Sequence, residues 1–131
     1  MVDKLRGGII GAGKTSFIGF AHRAAATIHN EAEIKAGVFS SDLAIWLERG
    51  LELGIARERI YRDCASMIEG ENRLSAEKRI DFVIIATPNA LHCKMIKAFL
   101  ENGFHVIADK PIGISLSEAL EIRDMQKKTE M

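Results

Sequence analysis

Gly8-Ile9-Ile10-Gly11-Ala12-Gly13-Lys14-Thr15-Ser16-Phe17-Ile18-Gly19 is the stretch of sequence from which the fold follows. It opens in a short apolar run, Gly7 to Ile10, which predicts a strand. It leads into Phe17 to Ile28, where apolar residues recur at three- and four-residue steps and therefore predict a helix. At such a turn from strand to helix, backbone N–H groups and the helix dipole can hold a phosphate with no net positive charge on the protein.

Two motifs compete for these residues. Gly8 to Thr15 matches GxxxxGK[ST], the phosphate loop of nucleoside triphosphatases, in which Lys14 would contact the β- and γ-phosphates and Thr15 a magnesium ion. The second motif is a dinucleotide turn stretched by three residues, which uses Gly11, Gly13 and Gly19.

The flanking residues favour the dinucleotide turn. A phosphate loop requires its strand to end before Gly8, and the charged run from Val2 to Gly7 would make a poor central strand. It would also leave the strand-like pair Ile9 and Ile10 inside a loop. The dinucleotide turn instead places both isoleucines in the strand, and a triphosphatase stays as the alternative.

Strand-like and helix-like segments alternate along the rest of the chain. Strands are predicted at 34–39, 60–61, 82–86 and 105–108. A helix is predicted from the apolar stripe of Leu43, Leu47 and Leu51, which fades at Gly54. Further helices are predicted at 65–69, at 89–102 and from a Ser115-x-x-Glu118 capping box to about 128, with 70–79 as a loop or frayed helix. The alternation predicts one α/β domain over residues 1–131, a Rossmann-type doubly wound parallel sheet.

The end of the second predicted strand is a candidate ribose contact. A dinucleotide turn expects an acidic or hydroxyl-bearing residue about 20 positions beyond its third glycine. Counting from Gly19 leads to the polar residues Ser40, Ser41 and Asp42. The alternative role for these residues is to cap the following helix. No arginine stands beside them to meet a 2′-phosphate, which favours NAD over NADP.

Composition excludes several classes of function. Lysine plus arginine (18) balance aspartate plus glutamate (18), so no basic surface is expected for nucleic acid or for an anionic membrane. The sequence shows neither a signal peptide nor an apolar run long enough to span a bilayer, and we expect a cytoplasmic protein. Cys64 and Cys93 lack metal-binding spacing, so we expect two buried free thiols and no metal site.

Three further segments make the chain resemble a known family. Gly19-x-x-His22, Thr87-Pro88-Asn89-x-x-His92 and Asp109-Lys110-Pro111 occur in this order, each beside a predicted strand end. In this combination the chain resembles the Gfo/Idh/MocA oxidoreductases, the glucose–fructose oxidoreductase and inositol dehydrogenase family, over essentially its whole length. Asp109 stands where glutamate is commoner in the family.

The resemblance implies an NAD- or NADP-dependent oxidoreductase acting on a sugar, cyclitol or related polyol. It places the pyrophosphate against Gly11, Gly13, Lys14, Thr15, Ser16, Phe17 and Ile18, and the adenosine ribose against Ser40, Ser41 and Asp42. It implies that the middle of the cofactor and its nicotinamide ribose are lined by Thr87, Pro88, Asn89 and His92, with Asp109 and Lys110 at the nicotinamide end. Lys110 is the expected catalytic residue, because an ammonium there can stabilise the substrate oxygen during hydride transfer.

The resemblance also predicts what this chain lacks. Family members continue with a sixth strand and a second α/β domain that supplies most of the substrate pocket and the acid–base group. We therefore expect this chain to be the cofactor-holding part of a longer enzyme, inactive by itself, with a non-catalytic dinucleotide sensor as a further alternative. An unpaired edge on the last predicted strand also leads us to expect a homo-oligomer.

Overall fold

Four parallel strands form the centre of the protein in a computed structural model that describes residues 3–42 and 44–131. The strands are β1 (Leu5–Ile10), β2 (Ala32–Val38), β3 (Phe82–Ile85) and β4 (His105–Ala108). Five helices connect and cover them: α1 (Phe17–Thr27), α2 (Trp46–Glu52), α3 (Cys64–Asn72), α4 (His92–Glu101) and α5 (Leu116–Thr129). Single 3₁₀ turns occupy Arg57–Arg59 and Asn89–Leu91.

The strand order β2-β1-β3-β4 determines where a ligand can bind. The chain leaves β1 toward β2 on one side and later returns to β3 on the other side of β1. The loops that follow β1 and β3 therefore diverge at the carboxyl ends of these two central strands. Open α/β sheets bind ligands in the crevice at such a switch point. The predicted Rossmann-type fold is confirmed.

Both faces of the sheet are buried at the central strands β1 and β3, as a parallel sheet requires, whereas His105 and Ile107 of the edge strand β4 are exposed. All four residues of β3 are buried, and they alternate between two cores. Val83 and Ile85 pack with α4 and α5, where the rings of Phe99 and Phe104 meet edge to face with centroids 5.6 Å apart. The other face carries a second core of buried residues, which includes Ile9, Ala12, Ala32, Phe39, Ile55, Ile60, Phe82 and Ile84.

The first strand begins earlier than predicted. Leu5 and Arg6 lie in β1 although the charged run before Gly7 argued against it. Asp81 makes this possible, because its carboxylate accepts from the backbone N–H of Arg6 at 2.7 Å and pairs with the Arg6 guanidinium at 2.6 Å. The ion pair satisfies the charge that would otherwise disfavour this residue in a strand.

The predicted strand at Ile60 and Tyr61 is wrong. Only an isolated parallel bridge joins Ile60 to Gly37, with the Tyr61 N–H donating to the Gly37 carbonyl at 2.8 Å. The described sheet therefore has four strands rather than five. A 3₁₀ turn ends just before this segment, and Asp63 starts a helix just after it, so the extended stretch is too short to pair as a strand.

Helix boundaries differ from the predictions where side chains supply unforeseen partners. The helix predicted at 65–69 runs from Cys64 to Asn72, opened by a reciprocal capping box between Asp63 and Ser66. Residues 89–91 form a 3₁₀ turn, and α4 begins at His92. Leu43, which the sequence assigns to the stripe of the second helix, lies outside the described residues.

The capping box predicted for the last helix is half formed. The Ser115 hydroxyl accepts from the Glu118 N–H at 3.2 Å, as expected. The Glu118 carboxylate, however, accepts from the N–H of Ile114 at 2.8 Å rather than from that of Ser115. Across the described residues, none of the helices is both long enough and apolar enough to cross a membrane.

Candidate functional site

Four loops meet at the carboxyl edge of the sheet. They follow β1 at Gly11, β2 at Phe39, β3 at Ala86 and β4 at Asp109, and together they contain every predicted site residue, apart from those in the first turns of α1 and α4. Because the strands are parallel neighbours, the fold alone brings these separate segments to one edge.

The glycine turn is shaped by close backbone approach. Gly11 has a φ of +91°, and a Cβ there would lie 2.6 Å from the carbonyl oxygen of Ala86. A side chain at Gly11 is therefore excluded both by conformation and by the neighbouring loop. A Cβ on Gly19 would lie 2.7 Å from the Cα of Ala12, so the third glycine lets α1 pack directly against the turn. Gly19, although later than usual, occupies the helix-packing position of the dinucleotide turn.

The first turn of α1 offers backbone donors that suit an anion. Ser16 caps the helix, and its hydroxyl accepts from the Gly19 N–H at 3.0 Å. The N–H groups of Phe17 and Ile18 find no acceptor among residues 3–42 and 44–131. Free N–H groups at a helix N-terminus, with the positive end of the helix dipole behind them, are the donors that a diphosphate needs. The turn therefore fits the pyrophosphate of a dinucleotide.

Lys14 is bound by two carboxylates of α2. Its ammonium lies 3.1 Å from Glu48 Oε1 and 3.1 Å from Glu52 Oε1. The hydrogen bonds that it donates to Glu48 and Glu52 raise the pKa of Lys14, and the bond to Glu52 lowers the pKa of that carboxyl. Arg49 of the same helix donates through Nε to the carbonyl oxygen of Ala12 at 3.2 Å. Helix α2 thus holds the glycine turn through three side chains.

The triphosphatase alternative is wrong. Gly8, the first residue of that motif, lies inside β1, where it pairs with Ala36 on one side and Val83 on the other. A phosphate loop cannot begin within a paired strand, because its backbone N–H groups are already committed to the sheet. Lys14 moreover contacts the α2 carboxylates.

The residues after β2 close their own turn. The hydroxyl of Ser40 accepts from the Asp42 N–H at 3.0 Å, and Asp42 Oδ1 accepts from the Ala44 N–H at 2.9 Å. Ser41 is exposed beside them. These two hydrogen bonds within the turn are the alternative role predicted for Ser40 and Asp42. They leave the second carboxylate oxygen of Asp42 and the hydroxyl proton of Ser40 available for other partners.

The loops after β3 and β4 contain the residues predicted for the nicotinamide end. Thr87 is half-buried, whereas Pro88 and Asn89 are exposed. Asp109 lies 3.5 Å from Nε2 of His22, so the histidine of α1 contacts the residue before the predicted catalytic lysine. Lys110 is exposed at this edge of the sheet.

His92, the first residue of α4, connects the loop after β3 to the loop after β4. Its side chain is fully buried, with Nδ1 2.8 Å from the carbonyl oxygen of Pro111 and Nε2 2.8 Å from that of Thr87. The imidazolium form donates to both carbonyls, whereas a neutral ring donates to one of them. The histidine predicted to line the cofactor pocket is therefore found tying the pocket's loops together.

The cysteines and acidic residues form no metal site in the part of the chain that is described. No cluster of three or more His, Cys, Asp or Glu side chains could hold an ion there. Cys64 and Cys93 are free thiols, and burial raises the pKa of Cys64 to about 11. Cys93 is buried as predicted, whereas Cys64 is only partly buried.

Several functional contacts were not foreseen from the sequence. Glu48, Arg49 and Glu52 hold the glycine turn, yet nothing in that turn indicates which helix faces it. The spacing of Glu48 and Glu52 by four residues does place both carboxylates on one helical face, which is the signal that was available. His22, the last residue of the Gly19-x-x-His22 motif, contacts Asp109, and this contact depends on how α1 lies relative to the end of β4.

Comparison with known proteins places these features in one family. Residues 5–131 match the sequence family described as "Oxidoreductase family, NAD-binding Rossmann fold", Gfo/Idh/MocA. An uncharacterized oxidoreductase, YfiI of Bacillus subtilis (strain 168), is 36% identical over 125 residues, which are 95% of this chain and 31% of the relative. D-apiose dehydrogenase of Paraburkholderia graminis is 31% identical over 118 residues, 90% of this chain and 28% of that enzyme.

Solved structures agree with these sequence matches. An inositol dehydrogenase homologue of Azotobacter vinelandii, complexed with NAD+, superposes with a TM-score of 0.92 at 33% identity over 98% of this chain and 33% of that one. An oxidoreductase of Pseudomonas syringae gives a TM-score of 0.92 at 37% identity, with 98% of this chain and 35% of that chain covered. The chain thus spans about a third of the length of the proteins it matches.

Proposed function

Since this chain belongs to the Gfo/Idh/MocA family of oxidoreductases, we propose that it is the cofactor-holding domain of an NAD(P)-dependent dehydrogenase that acts on a sugar, cyclitol or related polyol. The observation that carries the proposal is the pair of free N–H groups of Phe17 and Ile18 at the end of a glycine turn that bends at Gly11 and leaves space beside the backbone of Gly13. The substrate class is supported by relatives described as an inositol dehydrogenase homologue and as D-apiose dehydrogenase.

The chain's own residues divide the work of binding. The amides at the start of α1 neutralise the diphosphate, and Gly11 and Gly13 let it approach the backbone. We assign Ser40, Ser41 and Asp42 to the adenosine ribose, and Thr87, Pro88 and Asn89 to the cofactor's middle and nicotinamide ribose. Once bound, the nicotinamide ring supplies the hydride chemistry that no side chain can provide.

Lys110 is the proposed catalytic residue. As an exposed ammonium at the end of β4 it can donate a hydrogen bond to the substrate oxygen whose charge changes as hydride leaves or arrives. His22 lies 3.5 Å from the carboxylate of the preceding residue, Asp109, and His92 lies 2.8 Å from the carbonyl oxygen of the following proline. We assign His22 and His92 as positioning residues for Lys110, rather than as ligands of the cofactor.

Self-association forms a further part of the proposal. In the described part of the chain β4 pairs only with β3, and Ile107 on that edge strand is 44% exposed. An unpaired edge with apolar side chains favours pairing with a second copy. We expect concentration-dependent association in size-exclusion chromatography, and a monomer at every concentration would contradict it.

Calorimetric titration with NADH, NADPH and Mg-ATP tests the binding function. We expect binding of at least one dinucleotide and no binding of Mg-ATP, and tight Mg-ATP binding without a response to either dinucleotide would refute the proposal. Turnover of candidate polyols by a family-length protein carrying this domain separates an enzyme from a dinucleotide sensor. A sensor would bind NADH or NADPH and leave every polyol unchanged.

A further inference from the structure

The contacts of α2 with the glycine turn bear on which dinucleotide the domain accepts. NADP differs from NAD by a phosphate on the 2′-oxygen of the adenosine ribose, and a Rossmann domain reads that position at the end of its second strand. The glycine turn meets the end of β2 where a Cβ on Gly13 would lie 3.5 Å from the carbonyl oxygen of Phe39. We call this meeting point of Gly13 and Phe39 the corner. Lys14 follows Gly13 directly, so it is the basic residue that is closest in sequence to the corner.

The two basic residues near the corner, Lys14 of the turn and Arg49 of α2, already form ion pairs with carboxylates of α2. Lys14 lies between Glu48 and Glu52 at 3.1 Å from each. Arg49 donates to the Ala12 carbonyl and lies 3.4 Å from Glu52. Asp42 adds a further carboxylate in the turn between β2 and α2. Lys14 is therefore paired with two carboxylates, and the Arg49 guanidinium is shared between the Ala12 carbonyl and Glu52.

A 2′-phosphate in this corner would meet repulsion instead of a partner. Recognition of a phosphate dianion needs a free cation or unpaired donors, and it is strongest with charge-assisted hydrogen bonds. To bind the phosphate, Lys14 would have to leave two carboxylates that would then face the new charge. The 2′- and 3′-hydroxyl groups of the NAD ribose are uncharged and need no cation, so the same ion pairs do not weaken the binding of NAD.

We propose that Glu48 and Glu52 are specificity-determining residues that select NAD(H) over NADP(H) by holding Lys14 away from the 2′-phosphate. The inference rests on the proposed dinucleotide-binding function and adds the identity of the cofactor and the residues that choose it. Neither glutamate belongs to the glycine turn or to the end of β2, so the selectivity is exerted through Lys14 from a neighbouring helix.

Titration of NADH and NADPH into the wild-type chain and into the double variant Glu48→Gln/Glu52→Gln tests the proposal directly. The wild type is expected to bind NADH more tightly. The double variant should bind NADPH about tenfold more tightly than the wild type does, as gaining one charge-assisted hydrogen bond implies, and its NADPH-to-NADH ratio of dissociation constants should fall below that of the wild type. Adding Lys14→Met to the double variant should abolish the gain.

A matched control is available on the same sheet. Glu33 forms a surface pair with Lys35 at 3.0 Å, with exposure close to that of the Lys14–Glu52 pair, but it lies toward the start of β2, away from the cofactor edge. Glu33→Gln removes one carboxylate from a lysine without touching the corner. It should leave the ratio of the NADPH and NADH dissociation constants unchanged.

Salt gives a second readout that does not depend on the size of the affinity change. Screening weakens repulsion in the wild type, so the NADPH-to-NADH ratio of dissociation constants should fall as salt rises. In the double variant the phosphate contacts a free cation, so the same ratio should rise with salt. The two slopes are expected to have opposite signs.

The outcomes separate this inference from the proposed function. Wild-type preference for NADPH, or a double variant whose ratio equals that of the wild type, overturns the selectivity inference while dinucleotide binding stands. If the wild type binds neither dinucleotide, the proposed function fails and the inference fails with it. Circular dichroism of each variant establishes that a lost affinity does not reflect unfolding.

Discussion

Replacing Gly11 by alanine tests the geometry of the cofactor turn most sharply. The φ of +91° at Gly11 costs an alanine about 1–2 kcal/mol. The new methyl group would also lie 2.6 Å from the Ala86 carbonyl oxygen and 2.8 Å from its carbon, and these backbone atoms belong to the neighbouring loop. Such overpacking costs about 1–3 kcal/mol more. The free energy of unfolding should therefore fall by roughly 2–5 kcal/mol, out of the roughly 5–15 kcal/mol typical of a domain.

Gly54→Ala supplies the matched control. Gly54 has a φ of +75°, but a Cβ there would meet no atom within 4 Å, so the control carries the backbone cost without the collision. Urea unfolding followed by the fluorescence of the single tryptophan, Trp46, measures both variants. We expect Gly11→Ala to be the less stable by at least about 1 kcal/mol. Equal losses would show that the loops after β1 and β3 do not approach each other as described.

Three other predictions concern the remaining parts of the site and core. Burial, with a smaller contribution from the Glu71 carboxylate 3.0 Å away, raises the pKa of Tyr61 to about 12 from its ordinary 10.0. The protonated phenol therefore stabilises the fold fully below pH 10, and this contribution is lost as the pH rises toward 12. Because the chain has one tyrosine, the ultraviolet absorbance of Tyr61 should titrate near 12 in the folded protein and near 10 in urea. Lys110→Met should leave the NADH dissociation constant within about threefold and lower turnover of a family-length enzyme about 100-fold or more; equal turnover would remove Lys110 from the chemistry. His92→Ala should lower the free energy of unfolding by about 2–5 kcal/mol, because it removes a fully buried side chain together with its hydrogen bonding to the carbonyl oxygens of Thr87 and Pro111. A loss below about 0.5 kcal/mol in urea titration would contradict these contacts.

The fold and the position of the site were predictable because they depend on local patterns. Alternating apolar and helix-period segments fix a parallel sheet, and a parallel sheet brings all its strand ends to one edge. The apolar run after Asp81 and the glycine turn after Ile10 were sufficient for both inferences. The position of Gly19 also followed, since a helix that packs closely on a strand needs a residue without a side chain there.

What the sequence could not provide were contacts between distant side chains. Arg6 lies in β1 because its guanidinium forms an ion pair with the carboxylate of Asp81, 75 residues away. Glu71 is fully buried because Arg59, Tyr61 and the Ile80 N–H all bond its carboxylate. Such partnerships depend on how the elements pack, and no local period encodes them.

The same limit applies to the contacts that the site side chains make with the rest of the protein. The family resemblance assigns His92 to the cofactor pocket, and the sequence does not indicate that both ring nitrogens lie 2.8 Å from carbonyl oxygens on two different loops. Lys14 was assigned to the pyrophosphate from its place in the turn, whereas α2 presents two carboxylates to it. The motif predicts where the backbone lies, and neighbouring helices decide where the side chains go.

A crystal structure of the chain with NADH tests the central claim most directly. We predict that the pyrophosphate oxygens lie about 3 Å from the backbone nitrogens of Phe17 and Ile18, over the turn that begins at Gly11. A cofactor bound elsewhere, or a diphosphate held by side chains with both amides left free, would contradict the account.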